Sequence, residues 1–352
     1  MTAAAGTAVG EVLITLRLAR GYTQEDLASL LGVSQPTINR YEHDEREPDE
    51  EMLERIAEVL GVTPEFLRHA GRLRGATAVD AHMRRRASAK ATVWRRQEAR
   101  LNEYRMHVSA LFEQVSLHAE QIIATFDPFD TDPRDAARLA RMQWRMPVGP
   151  VNNLTGWVEA AGCVVIVEDF GTPRVDGLSQ WIGDHPVMLL NARQPVDRLR
   201  WTLAHELAHL CLHSEFVGDA PEQEANAFAA EFLMPAEVIR PQLRNLDPGR
   251  LADLKRQWGV SMQALVERAH QLKTITAEQR SALYKKFSRL GWRTREPISD
   301  ELRAEQPELT TVIAEALRDK GFSAEDVARV AGYASPQHNT MLTIPGKHLR
   351  AV

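Results

Sequence analysis

The run His205-Glu-Leu-Ala-His209 constrains this chain more than any other feature. On a helix, residues four apart share a face, so the two imidazoles converge on one point with Glu206 beside them. Leu203, Leu207 and Leu210 occupy the opposite side, which predicts a helix with one dry face and one face turned to a site. Two histidines are an incomplete set, because a zinc ion in a catalytic site takes three protein ligands and keeps a fourth position open. His213 lies eight residues from His205. That is roughly 12 Å along a continuous helix, too far to share one ion, so it reads as a histidine at the surface or behind the site.

A following helical pattern, residues 222–231, supplies Glu222, Glu224 and Glu231. Its apolar face is Ala225, Phe228, Ala229 and Phe232, which puts Glu224 at the edge of the buried side. Small residues at Ala225, Ala229 and Ala230 allow close approach to the histidine helix. The expected metal set is therefore His205, His209 and Glu224 around zinc, with Glu206 as the general base of a metal-assisted hydrolysis. The strand expected at residues 187–190 is a candidate for pairing with an extended peptide substrate.

The N-terminal 70 residues read differently. Thr23 stands where a helix N-cap is expected, with Asp26 three residues on. Leu27, Leu30 and Leu31 make the apolar stripe and Gly32 ends the helix. Ser34 is placed to cap a second short helix with Pro36 in its first turn, and Ile38 and Tyr41 face inward. Leu53, Ile56, Ala57 and Leu60 mark a further helix closed by Gly61. The result is a compact all-α module of five short helices containing a helix-turn-helix. Gln35, Asn39 and Arg40 face away from Ile38; amides of this kind pair with adenine and guanidinium with guanine in the major groove of double-stranded DNA. Gln24 and Thr37, at helix starts, are placed for phosphate contacts, and Ser34 is a further candidate DNA-binding residue. The acidic run His43-Asp-Glu-Arg-Glu-Pro48 opposes tight binding next to that surface.

Charge is segmental. Residues 1–70 hold 6 basic and 13 acidic side chains, a balance of −7, whereas residues 71–105 hold 10 basic and 3 acidic, a balance of +7. That basic stretch reads either as a phosphate-tracking arm or as a solvated helix face. No apolar run approaches the ~18 residues of a membrane span, and the N-terminus lacks a basic start before an apolar core. With only Cys163 and Cys211 there is no disulfide framework. The expectation is a cytoplasmic protein without membrane contact.

Strands are expected at residues 163–167 and 187–190, helices at 104–126, from 134 to before Pro147, 199–213, 222–234 and 251–290, and a polar helical tail after Pro297 that loosens from Ser335 onward. The fold class is mainly α with a small β-sheet (α+β). The expected organisation is a DNA-binding module at 11–70, a basic linker at 71–103, a metallopeptidase-like domain at 104–296 and a helical C-terminal region at 297–352.

Two resemblances follow from these motifs. Residues 13–67, with Tyr22-Thr-Gln-Glu-Asp-Leu-Ala-Ser-Leu-Leu-Gly-Val-Ser-Gln-Pro-Thr-Ile-Asn-Arg-Tyr-Glu42 and Ile56-Ala-Glu-Val-Leu-Gly-Val-Thr63, resemble the Cro/CI-type (XRE) helix-turn-helix family. Residues from about 150 to 296 resemble the ImmA/IrrE metallopeptidase family. The blocks that carry this are Gly177-Leu-Ser-Gln-Trp-Ile-Gly183, Thr202-Leu-Ala-His-Glu-Leu-Ala-His209, Glu224-Ala-Asn-Ala-Phe-Ala-Ala-Glu-Phe-Leu-Met-Pro235 and Gly291-Trp-Arg293. The second resemblance implies zinc at His205, His209 and Glu224, a catalytic Glu206, a zincin-like fold, and cleavage of a repressor-type protein. Because a DNA-binding module is fused to the peptidase-like segment, the substrate is either a partner regulator or the chain itself. The competing expectation is a transcription factor whose catalytically idle domain senses a small molecule or a protein partner. A homodimer is expected, since such readers bind paired half-sites on an operator.

Overall fold

The structure, a computed structural model, describes residues 9–69, 91–183, 185–214 and 220–342. Its first five helices are α1 (Val9–Arg20), α2 (Gln24–Leu31), α3 (Gln35–Glu42), α4 (Glu50–Leu60) and α5 (Pro64–His69). Thr23 and Asp26 form the reciprocal capping box, and Gly32 takes the left-handed conformation that ends α2. Ser34 does not cap α3; its hydroxyl lies 2.9 Å from that of Thr37 instead. Leu13, Leu16, Leu27, Leu31, Ile38, Ile56 and Leu60 are completely buried and form one core. Across that core the Arg17 guanidinium grips the buried Glu42 carboxylate. Gly10 is required where α1 crosses α3, because a Cβ there would lie 2.4 Å from the Glu42 carbonyl oxygen.

The next helix, α6 (Ala91–Phe112), belongs to both halves of the molecule. Residues 91–103, expected as the end of a basic linker, are its first half; residues 71–90 lie outside the described residues. One side of α6 packs on α1 and another on the β-sheet. Glu103, buried within it, pairs with Arg20 of α1 and with Arg100. The His107 ring stacks between Phe66 of α5 and Tyr333, at centroid distances of 4.4 and 3.8 Å. The helix expected over 104–126 stops at Phe112 because the chain that follows bonds to other elements. Gln121 N–H donates to the Ala160 carbonyl and Phe126 N–H to that of Cys211, which fixes an extended path and leaves Ile122 exposed.

After α7 (Pro133–Gln143) and α8 (Leu154–Ala160) come β1 (Val164–Glu168), β2 (Gly177–Ile182) and β3 (His185–Asn191). Among the described residues they form a three-stranded mixed sheet in the order β1-β3-β2, with β1 parallel and β2 antiparallel to β3. Residues 187–190 are thus central, with both edges of β3 already paired, so strand addition of a peptide along them is ruled out. Side chains alternate as a pleated sheet requires. Val165, Met188 and Leu190 enter one core, while Val164, Ile166, Leu178, Val187 and Leu189 enter the other.

The first core is built around α9 (Val196–Leu212), which packs on β2, β3, α7, α8 and α10 (Pro221–Leu233). Gly177 permits the close approach of β2 to α9, since a Cβ there would meet the Thr202 methyl at 2.7 Å. The second core is closed by α6 and two late helices. Between these, the chain forms α11 (Ala236–Ile239), α12 (Pro248–Trp258), α13 (Met262–Gln271) and α14 (Ala277–Arg289), three of them within the span expected to be helical, and then α15 (Leu309–Asp319) and α16 (Ala324–Val330). The tail beyond Ser335 still contributes buried Met341 and Leu342. The residues just before it join the N-terminal helices: Thr63 N–H donates to the Gly332 carbonyl and Ala334 N–H to that of Gly61. No helix among the described residues is long and apolar enough to cross a membrane.

A buried cation anchors the start of α9. Lys255 on α12 is fully enclosed and its Nζ donates to Asp197 (2.6 Å), Glu296 (2.8 Å) and Ser299 (2.7 Å). Replacing it with methionine leaves two carboxylates enclosed without their cation, a situation that costs about 3–5 kcal/mol. Lys255→Met should therefore lower the denaturation midpoint of the protein markedly in a urea titration followed by tryptophan fluorescence. A midpoint within error of the parent would remove Lys255 from this role.

Candidate metal centre and DNA-reading surface

His205 and His209 stand one turn apart on α9, both buried, with their Nε2 atoms 3.1 Å apart. The carboxylate that reaches them belongs to Glu222, in the first turn of α10. Its two oxygens lie 3.5 Å from His205 Nε2 and 3.5 Å from His209 Nε2. One ligand atom from each of the three residues lies within 4.8 Å of the other two. Zinc bonded at 2.0–2.1 Å in a tetrahedron separates its ligands by about 3.3 Å, so the spacing of this nitrogen–nitrogen–oxygen set fits that ion.

Glu224 is not brought to this point. Its Oε2 lies 2.7 Å from His213 Nε2, on the other side of the imidazole row. The physical reason is helical phase: residues two apart cannot face the same neighbour. Glu222, Ala225 and Ala229 are spaced i, i+3 and i+7 and share one stripe, so the small residues that let the helices approach carry Glu222 inward, not Glu224. Ranking by burial misleads here, since the Glu222 side chain is 45% exposed and that of Glu224 only 21%.

Glu206 is wholly buried, and its Oε2 accepts a 2.7 Å hydrogen bond from Ser179 Oγ of β2. Sequence reasoning did not single out Ser179. The available signal was a polar residue inside a short alternating segment, which also explains why β2 went unrecognised as a strand: its polar Ser179 and Gln180 are buried against partners from α9 and α6. His213, the residue that closes α9, is fully buried rather than at the surface, and its Nδ1 lies 2.9 Å from His209 Nδ1.

The electrostatics suit cation binding. Burial pushes the His209 pKa down to about 3, reinforced by His205 and His213 against the opposing pull of Glu222. Glu222 is held well below the usual carboxylate range by its approach to His205 and His209. A neutral His209 imidazole beside an ionised Glu222 carboxylate is the pairing of protonation states that ligates metal.

On the N-terminal helices, Gln35 donates to Gln24, and Gln24 Nε2 donates at 2.6 Å to Glu42 Oε2, the same carboxylate that Arg17 holds. This chain of contacts ties the starts of α2 and α3 to the buried ion pair. Arg40 is exposed and Asn39 and Thr37 are half-buried on the outer side of α3. Part of the acidic excess is structural. Asp26 and Asp49 cap helices, and Asp44 accepts from Gly10 N–H at 2.9 Å.

Residues 158–270 match the IrrE N-terminal-like domain family, and residues 13–67 match the helix-turn-helix family. Among curated proteins, the chain is 40% identical over 105 residues to the radiation response metalloprotease IrrE of Deinococcus deserti, covering 24% of this chain and 37% of that protein. It is 36% identical over 58 residues to the SPbeta prophage-derived HTH-type transcriptional regulator YonR of Bacillus subtilis, covering 16% of this chain and 54% of that protein. The chain thus spans about a third to a half of the length of these relatives, and it joins a helix-turn-helix domain to an IrrE-type metallopeptidase-like domain.

The lowered His209 pKa carries a sign. Its folded value lies below the ordinary ~6.5 of histidine, so the neutral ring favours the folded state above that pH, and this contribution declines as pH falls from about 6.5 toward 3. In the metal-free protein the His209 ring proton resonance should stay flat between pH 8 and 5. A midpoint near 6.5 in that NMR titration would contradict the assignment.

Proposed function

We propose that this chain is a DNA-binding regulator whose IrrE-type domain is a zinc-dependent peptidase acting on a repressor-type protein or on the chain itself. The observation that carries the reading is the convergence of His205, His209 and Glu222 on one point, with Glu206 enclosed between the two histidines in sequence. A domain that only bound a partner would have no physical need for a buried carboxylate at that position.

In this reading His205, His209 and Glu222 hold the zinc. When bound, that ion supplies Lewis acidity, which acidifies water and polarises the scissile carbonyl. Glu206 takes the proton of the attacking water and delivers it to the leaving amine. The Ser179 hydroxyl fixes one oxygen of Glu206, orienting the other for that transfer. The relatives' names support the two halves separately: one is a metalloprotease, the other a transcriptional regulator.

For the DNA-binding half, Gln35, Asn39 and Arg40 on α3 are the base readers, and Gln24, Ser34 and Thr37 contact phosphate. A second copy of the chain would supply the matching half-site reader.

Three measurements test the reading. Purified protein should contain about one zinc per chain, lost in His209→Ala and in Glu222→Ala. Glu206→Gln should keep the metal and abolish cleavage of a co-incubated regulator; full zinc with undiminished cleavage would refute the role of Glu206. On DNA, Gln35→Ala with Arg40→Ala should lose operator discrimination by about 1–3 kcal/mol per lost base contact while general affinity changes little. Equal loss on random DNA in a titration at fixed salt would reject these residues as base readers.

A further inference from the structure

Behind the metal set lies a row of groups that the proposed hydrolysis does not use. His209 Nδ1, the ring nitrogen turned away from His205 and Glu222, lies 2.9 Å from His213 Nδ1. His213 Nε2 lies 2.7 Å from Glu224 Oε2. The His213 side chain is completely enclosed, and Glu224 closes the row at the rim with 21% of its side chain exposed. The two rings are 5.0 Å apart and tilted by 50°. His205, by contrast, has a buried Nδ1 without a hydrogen-bond partner.

We propose that Glu224 and His213 are positioning residues that set the tautomer and the orientation of His209, so that its Nε2 lone pair faces the metal. This rests on the reading of His205, His209 and Glu222 as the metal set. An ionised carboxylate only accepts hydrogen bonds, so His213 Nε2 must carry the proton it shares with Glu224. A neutral His213 then has a bare Nδ1, which can only accept. His209 must therefore donate from Nδ1, and its remaining nitrogen, Nε2, is left with a free lone pair. One carboxylate at the rim thereby decides the direction of two successive hydrogen bonds. With the protons reversed, two acceptors would face each other across 2.7 Å, and a proton would occupy the ligating nitrogen. Partners of this kind behind metal-binding histidines fix the ring and typically contribute 10–100-fold in metal affinity.

The spacing has the same logic. His205, His209 and His213 follow one another at i, i+4 and i+8, so they share one stripe of α9 and its end. Glu222 and Glu224, two residues apart on α10, reach different members of that row. The two acids thereby divide the work: Glu222 faces the ligating nitrogens, and Glu224 the far side of His213.

The test combines metal affinity with tautomer spectroscopy on the full chain. Zinc affinity, measured by competition with a chromophoric chelator, should fall about 10–100-fold in His213→Phe and in Glu224→Ala. Glu224→Gln retains a side-chain carbonyl that accepts from His213 and should recover most of the loss. Glu224→Ala, at the rim, provides the second variant if His213→Phe fails to fold by circular dichroism. Independently, long-range nitrogen–proton spectra of metal-free, 15N-histidine-labelled protein should place the His209 proton on Nδ1. In Glu224→Ala that preference should weaken. Wild-type affinity in folded His213→Phe and Glu224→Ala would overturn the proposal, as would a His209 proton residing on Nε2 in the parent. A parent protein that binds no zinc would instead refute the metal set itself, a result distinguishable from the first because there the parent binds and the variants match it.

Discussion

A helix buried along nearly its whole length cannot leave polar groups to water, and α9 carries many. Asp197, Arg200, Thr202, His205, Glu206, His209 and His213 are all less than a tenth exposed. Buried polar groups need partners inside the protein, and an enclosed charge needs an opposite one. Much of the surrounding architecture is the answer to that requirement. Lys255 meets Asp197. Arg200 takes the Gly259 and Val151 carbonyls and the Glu305 carboxylate. Ser179 meets Glu206, and α10 brings one acid to the imidazoles of His205 and His209 and a second to His213.

The same constraint organises the layers. The sheet presents one face to α9 and the other to α6, α15 and α16, so the helix bearing His205, Glu206 and His209 has a packed floor. On the far side, α6 carries the N-terminal helices through Arg20–Glu103 and the stacked rings of Phe66, His107 and Tyr333. Glu103 shows how such an interface tolerates charge. Burial would raise its pKa, but His107, Arg20 and Arg100 outweigh that and keep it ionised. Helix α3 and the His205–His209–Glu222 cluster thus belong to layers packed together through α6.

Legibility differed by element for identifiable reasons. The α2–α3 turn was readable because its signals are local: a capping box at Thr23, a left-handed Gly32 and inward-facing Leu27 and Leu31, although Leu30, expected in the same stripe, points to solvent. The pair His205 and His209 was readable for the same reason, since four residues on one helix always share a face. The third acid was not, because burial and amphipathicity favoured Glu224, whereas the contact depends on which stripe of α10 turns toward α9. Strand β2 escaped because Ser179 and Gln180 are polar yet buried, and hydrophobic alternation cannot register a polar residue satisfied by a distant partner. The segment after Phe112 kept a helical spacing of apolar residues but spends its backbone hydrogen bonds on Ala160 and Cys211.

By itself the sequence determined most of what short-range geometry controls: the Thr23–Asp26 capping box and the left-handed Gly32 and Gly61 helix ends, the α+β class, the paired imidazoles with Glu206 beside them, and the outward residues of α3. Only the tertiary structure decided which carboxylate meets those imidazoles, which hydroxyl holds Glu206, and that His213 lies inside rather than at the surface. The division has one physical cause. Turns, caps and helical faces depend on residues a few positions apart, whereas the partner of a buried charge is chosen by how whole helices rotate and slide against each other when the core closes.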